Sequence, residues 1–331
     1  MAKQSKDQAA KGDLVFVTGA GGAIGRIVAR TLLDRGYRVR GFGLGEQYYR
    51  DPDFFRELER RGDFQFEIGS ILDQHSVVRA MSGAAKVIHL AAMTGGRRTQ
   101  EDRLRCFDIN VNGTQKVMAA CVANGVDHVV NLSSSAVYGV PSQNPVPENE
   151  ALKPQSPYAL SKAAGEEVVA AFAQAFPKLH YTTLRLFNAY GEHCASTLAI
   201  DAFVTRVAQG QSPVVNGDGL QQRCYTHAED IGEAIIRILK TPSARNRTYN
   251  LGNPNAVISM RDLAELVIEV IAPQRNLSVA YANGGRGQAS EVRAIWADIS
   301  QIEADLGFRP RIGLREGLER IRSGLPGLAT A

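Results

Sequence analysis

Three features of this 331-residue chain predict an α/β fold, a doubly wound parallel sheet with a smaller interleaved C-terminal α/β domain. Short apolar runs alternate with helical patterns through the first half, as in parallel sheets covered by helices on both faces. A glycine turn, Thr18–Gly25, joins the first such run to the first helix. After Pro177 the elements become too short and scattered for a second sheet of the same size.

Leu14-Val-Phe-Val17 reads as a buried strand, and Ile27, Val28, Leu32 and Leu33 carry a helical stripe that ends at Gly36. Strand, glycine turn and helix in that order form the setting in which a backbone approaches a pyrophosphate held at a helix N-terminus. The next strand, Tyr37–Phe42, leads to Gly43, where a carboxylate for the adenosine ribose is expected. Arg40 or Arg50 is then available to a 2′-phosphate, and Glu46 to the ribose, so NAD and NADP both stay open. Strands at Phe64–Ile68, Lys86–Ala91 and His128–Leu132 follow, with helices at Gln74–Met81 and from about Glu101 to Asn124. Near-continuous runs such as Val87-Ile88 and Val129-Val130 suit strands buried on both sides.

The chemistry is expected at the end of the fifth strand and one loop beyond it. Ser133-Ser134-Ser135 stands where ligands bind in such sheets. Tyr158 and Lys162 follow Ser156-Pro157 in a first helical turn, four residues apart and therefore facing the same way. A neighbouring ammonium favours phenolate, so Lys162 is expected to lower the Tyr158 pKa and make it a proton-transfer group. Such pairs are common on helix surfaces; the glycine turn and the serines give this one its meaning.

Composition narrows the partners. Formal net charge is +4, half of it from Lys3, Lys6 and Lys11 less Asp7, and no dense basic stripe argues for nucleic acid. The four cysteines are scattered, so reduced thiols, a cytoplasmic setting and no metal site are expected. No apolar run is long enough to span a membrane, and Met1–Gly12 is read as a loose tail without signal character. His89, His193 and His227 are read as carrying no chemistry.

Taken together, Thr18-Gly-x-x-Gly-x-Ile-Gly25, Val87-Ile-His-Leu-Ala-Ala92, Asn110-Val-x-Gly-Thr114, Ser134 with Val137-Tyr-Gly139, Tyr158-x-x-x-Lys162, Arg185-x-Phe-Asn188 and Tyr249-Asn-Leu-Gly252 resemble the extended short-chain dehydrogenase/reductases. Within them the chain is most similar to NAD-dependent nucleotide-sugar epimerases of the UDP-galactose 4-epimerase type and their dehydratase relatives, over roughly residues 13–322. The resemblance implies that Tyr158 exchanges the proton of a sugar hydroxyl, Ser134 bonds the same oxygen, and Lys162 holds the nicotinamide ribose. It implies cofactor contacts from Gly19, Gly22, Ala23, Ile24, Ser70, Ile71, Leu90, Ala91, Ala92, Thr94 and Phe187. Substrate contacts fall to Ser135, Asn188, Arg223, Tyr225 and Arg286 beside Ser134.

The implied organisation is a tail at 1–12 and a dinucleotide-binding Rossmann domain at 13–176, with later strands from about 177–190 and 227–252. A substrate-binding cap takes about 191–226 and 253–331. The resemblance also implies a homodimer. Departures shape the reading: Ser135-Ala136 replaces the Asp-Glu pair of the dehydratases, Gly43 and Ser70 replace two adenosine-side carboxylates, Cys224 stands for an aspartate, and the segment around Arg286 is longer. The expectation is a 4-epimerase working through a 4-keto sugar. A reductase consuming NADPH, an atypical dehydratase and a non-catalytic dinucleotide binder remain beside it, although the last should lack one of Ser134, Tyr158 and Lys162. The base and sugar stay open, since they depend on loops at Met93–Arg98 and His193–Leu198.

Overall fold

In strand β1 (Leu14–Thr18) every residue is buried, with Leu14 and Phe16 in one apolar cluster and Val15 and Val17 in another. Side chains alternate across a strand, so the two clusters lie on opposite faces of the sheet. The computed structural model describes residues 12–192, 199–282 and 292–325. Residues 1–11 of the expected tail, the His193–Leu198 loop and Arg286 lie outside the described residues.

The chain continues through α1 (Ala23–Asp34), β2 (Arg38–Gly43), α2 (Gly45–Arg50), α3 (Pro52–Arg61), β3 (Phe64–Ile68), α4 (Gln74–Ala80) and β4 (Lys86–His89). The sequence pattern did not anticipate α2 and α3. Asp51 ends the first and caps the second, accepting a bond from the Phe54 N–H at 3.2 Å, with Pro52 at the first helical position.

Then come α5 (Gly96–Glu101), α6 (Arg103–Phe107), a π-helical turn at Asp108–Asn112, and α7 (Gly113–Asn124). The helix expected from Glu101 to Asn124 is therefore interrupted. Asp102 leaves helical geometry (φ −122°, ψ 72°) to cap the Arg105 N–H. The π turn carries Asn110, whose side chain is bonded to Met93 rather than turned to solvent. Such turns are frequent at functional sites.

After β5 (His128–Ser134), α8 (Pro157–Ala175) begins with Pro157 and a Ser156 cap on the Ala159 N–H, and β6 (His180–Leu186) follows. The remaining elements are β7 (Ala189–Tyr190), α9 (Ala199–Ala208), β8 (Val214–Asn216), β9 (Gln222–Cys224), β10 (Thr226–His227), α10 (Ala228–Lys240), β11 (Arg247–Leu251), β12 (Val257–Ser259), α11 (Met260–Ile271), β13 (Ala280–Ala282), β14 (Ala294–Ile295), α12 (Ser300–Leu306) and α13 (Leu314–Ser323).

Seven strands form one parallel sheet in the order β11-β6-β5-β4-β1-β2-β3. The order reverses between β1 and β4, and the crevice outside the carboxyl ends of those strands is where open α/β sheets take ligands. A third apolar cluster joins α9, α11 and α13 through Ile200, Phe203, Leu263, Val267 and Leu318.

Candidate active site

The glycine turn at the switch point is shaped for close approach. Gly19 has φ +71°, and a Cβ there would sit 2.8 Å from the Ala91 nitrogen. A Cβ on Gly25 would lie 2.1 Å from the Gly19 carbonyl, so the turn tolerates no side chain at either place. Gly22 precedes α1 without a side-chain cap, leaving the N–H groups of Ala23, Ile24 and Gly25 without partners within the helix. Leu90 and Ala91 are stitched alongside by bonds to the Thr18 carbonyl and hydroxyl, both at 3.2 Å. Gly19, Gly22, Ala23 and Ile24 thus lie beside Leu90 and Ala91 at the carboxyl ends of β1 and β4, with backbone N–H groups suited to an anionic ligand.

The other expected cofactor contacts are more dispersed. Thr94 is exposed just beyond the crevice. Ser70 uses its hydroxyl to accept from the Leu72 N–H, and Ile71 is buried against Gly113. The Phe187 ring is fully buried beside Tyr138, so it belongs to the packing beneath the cleft. Arg40 is not available to a phosphate: it donates to the Ala80 and Ser82 carbonyls, both at 2.8 Å.

Ser134 and Tyr158 face each other across the β5 and α8 ends, near enough for the serine hydroxyl to act on the phenol. The expectation that Lys162 lowers the Tyr158 pKa is not met. Burial raises the phenol above its usual range, the neighbouring Ser134 hydroxyl works against that, and the Lys162 ammonium donates instead to the Leu132 carbonyl. Burial pulls Lys162 itself down to about 8, with Glu166 opposing. Asn110 ties α8 to the β4 end through a side chain, donating to Ser161 Oγ at 2.9 Å while gripping Met93 through both its N–H and its carbonyl.

Beneath this pair lies a buried ion pair. Arg185 reaches both Glu166 carboxylate oxygens at 2.8–3.1 Å, and Ser133 donates to the same carboxylate. Arg185 also donates to Tyr138 Oη at 3.0 Å and to the Glu148 carbonyl at 2.9 Å. Tyr138 Oη in turn donates to Asn250 at 2.6 Å. Six places in the chain, Ser133, Tyr138, Glu148, Glu166, Arg185 and Asn250, are tied together by this network. Glu166 was missed in the sequence, although its place four residues after Lys162 on the same helix face was there to find it.

Among the expected substrate residues, Asn188 adopts φ +27° and donates from its amide to the Cys224 carbonyl at 3.1 Å, which joins it to β9. Arg223 lies on β9 between β12 and β14. Tyr225 is buried, with its hydroxyl 3.5 Å from the Met260 sulfur. Ser135 is also buried. His89 is a structural histidine, bonded to Thr18 at 2.8 Å and Thr114 at 3.0 Å and held neutral by burial, its pKa near 3. No cluster of three or more metal-binding side chains occurs among the described residues. Among them no helix is long and apolar enough to cross a membrane.

Residues 15–252 match the family described as NAD dependent epimerase/dehydratase family. The chain belongs to that family. It is similar to a dTDP-glucose 4,6-dehydratase from Streptomyces griseus, 32% identical with 92% of this chain and 91% of that protein covered. It is also similar to a UDP-glucuronate 4-epimerase from Thermodesulfobacterium geofontis, 30% identical over 92% of this chain and 94% of the relative. A solved UDP-glucuronic acid 4-epimerase from Bacillus cereus, in complex with UDP-glucuronic acid and NAD, superposes with a TM-score of 0.84 at 26% identity, covering 94% and 98% of the two chains. Membership makes the chain an enzyme of a NAD-dependent family whose members act on nucleotide sugars.

Proposed function

We propose that this enzyme is a nucleotide-sugar 4-epimerase that works through a transient 4-keto sugar, with Tyr158 as its acid/base. The observation carrying this reading is the placing of the Ser134 hydroxyl beside the Tyr158 phenol, with Lys162 on the next turn of α8. With its pyrophosphate at the glycine turn, a bound NAD would supply the hydride acceptor and donor. Tyr158 would act here as phenolate, taking the proton of the sugar hydroxyl as its carbon is oxidised and returning it after the keto sugar has presented its other face. Burial alone favours the neutral phenol, so the positive charge of bound oxidised nicotinamide would have to offset it. Ser134 holds that oxygen. Lys162, still largely protonated at pH 7, holds the nicotinamide ribose.

Ser135 and Ala136 follow Ser134 and supply no second acid/base group, so elimination of water from the sugar is disfavoured against epimerisation. Asn188 and Arg223 serve the diphosphate, for which a planar guanidinium is suited. Residues of about 191–226 and 253–331 form the cap that encloses the sugar. A cytoplasmic homodimer completes the reading. Leu104 is 87% exposed on α6, with Phe107 three residues on, and Leu160 is 48% exposed near the start of α8, with Phe176 exposed at its far end, which supports a helical interface between two copies.

Incubation with a panel of UDP- and dTDP-hexoses, without added nicotinamide, tests the activity. A 4-epimer formed at catalytic turnover supports it. Formation of a 4-keto-6-deoxy sugar, or product limited to the cofactor supplied, would replace it with the dehydratase or the reductase.

A further inference from the structure

The adenosine end of the crevice lacks the carboxylate expected at position 43, and the helix that follows has moved an amide into its place. Gln47, on α2, packs directly on the glycine turn: a Cβ on Gly21 would lie 2.7 Å from Gln47 Cβ and 2.8 Å from its Oε1. A Cβ on Gly43 would meet the same Oε1 at 3.0 Å. The amide therefore stands between the turn and the end of β2, at the position an acidic side chain on residue 43 would occupy.

Two anchors hold α2 there. The buried Arg26 guanidinium donates to the Gly21 carbonyl at 3.2 Å, to the Gln47 carbonyl at 3.4 Å and to Asp51 at 2.6 Å, tying the turn to both ends of the segment. On the opposite side Tyr48 packs its ring 5.0 Å from Phe55 and 5.4 Å from Phe66. With Tyr48 facing inward, Gln47 is left over the turn. Tyr49, 72% exposed, and Ile68, 48% exposed, both reach the same side of Gly45 and offer an apolar pad beside it.

We propose that Gln47, fixed over the glycine turn by Arg26, recognises the adenosine ribose in place of the missing carboxylate. This rests on the NAD-dependent reading of the family. An amide accepts from one ribose hydroxyl and donates to the other, so it binds the diol. Being neutral, it does not repel a 2′-phosphate as a carboxylate does. Discrimination between NAD and NADP is accordingly weak in this enzyme.

Calorimetry of the cofactor-stripped full chain with ADP-ribose, NAD and NADP tests the proposal apart from turnover. Gln47→Ala should weaken ADP-ribose and NAD at least tenfold. Gln47→Glu should keep NAD within about threefold and weaken NADP at least tenfold further. Gly43→Asp in the Gln47→Ala background should recover most of the NAD affinity, because the far end of Gln47 no longer obstructs it. NAD and ADP-ribose binding within twofold of the parent in Gln47→Ala would overturn the proposal. So would a Gln47→Glu variant whose NAD/NADP ratio does not move, which would leave Gln47 as packing alone. If the parent bound no ADP-ribose, the dinucleotide reading beneath it would fail instead. Retained binding with altered sugar products would contradict only the proposed epimerase activity.

Discussion

At the β5–α8 end of the crevice, ionisable groups are stacked in layers: Tyr158 and Lys162 above, Glu166 and Arg185 below. At the β2–α2 end, the group over the glycine turn is the neutral Gln47, and the Arg26–Asp51 ion pair serves only to hold α2 against it. Where protons move, burial displaces the pKa values of the reacting groups, and a buried counter-ion pair is needed to keep that end in register. Where a neutral diol is held, reach and hydrogen bonding suffice, and a helix pinned by Arg26 supplies them.

The largest expected effect lies at the charged end. Tyr158→Phe should lower turnover by about 10²–10⁴, the range general acid–base catalysis contributes, while NAD affinity stays near the parent value by calorimetry. Loss of NAD binding without a greater loss of turnover would mean that Tyr158 serves the cofactor alone. Next, Glu166→Gln strands a buried guanidinium and should cost about 3–5 kcal/mol in urea unfolding, as removal of one partner from a buried pair does. The same change should move the Lys162 ionisation below about 8, since the Glu166 charge is what opposes burial there. A pH–rate profile would read the shift.

A smaller effect concerns buried bases. His89 and His128 have folded pKa values near 3 and 4, against about 6.5 in the unfolded chain. Between those values the unfolded state binds protons that the folded state refuses, so stability falls as pH drops below about 6.5. The slope approaches about 1.4 kcal/mol per pH unit for each group. Urea midpoints at pH 7 and 5 measure it, and His89→Gln should flatten the dependence. Smallest is the neutral end, where the Gln47 variants change cofactor affinity by about tenfold while unfolding midpoints stay near the parent's. A loss of stability as large as that of Glu166→Gln would erase the contrast between the two ends.

These ends also differed in how far the chain could be read. The apolar run of β1, the turn at Thr18–Gly25 and the four-residue spacing of Tyr158 and Lys162 are local, so the sheet and the placing of that pair in the first turns of one helix were legible. Gln47 was not, because α2 is short and its placement depends on Arg26 reaching back from another helix. The Tyr158 pKa was misjudged for a related reason. Spacing puts Lys162 on the same face, but only the three-dimensional arrangement gives its ammonium the Leu132 carbonyl as a partner. The interruption at Asp102 was likewise hidden, since Asp serves as well inside a helical pattern as at a cap.

The most direct test of the account is the fate of hydrogen at the sugar's C4. The purified enzyme, with no added cofactor, is given each nucleotide hexose of the panel bearing deuterium at C4, and the products are followed by mass spectrometry and NMR. The account predicts a 4-epimer that keeps its deuterium at C4, formed over many turnovers. A product that has lost the label from C4, or accumulation of reduced cofactor in proportion to product, would contradict it.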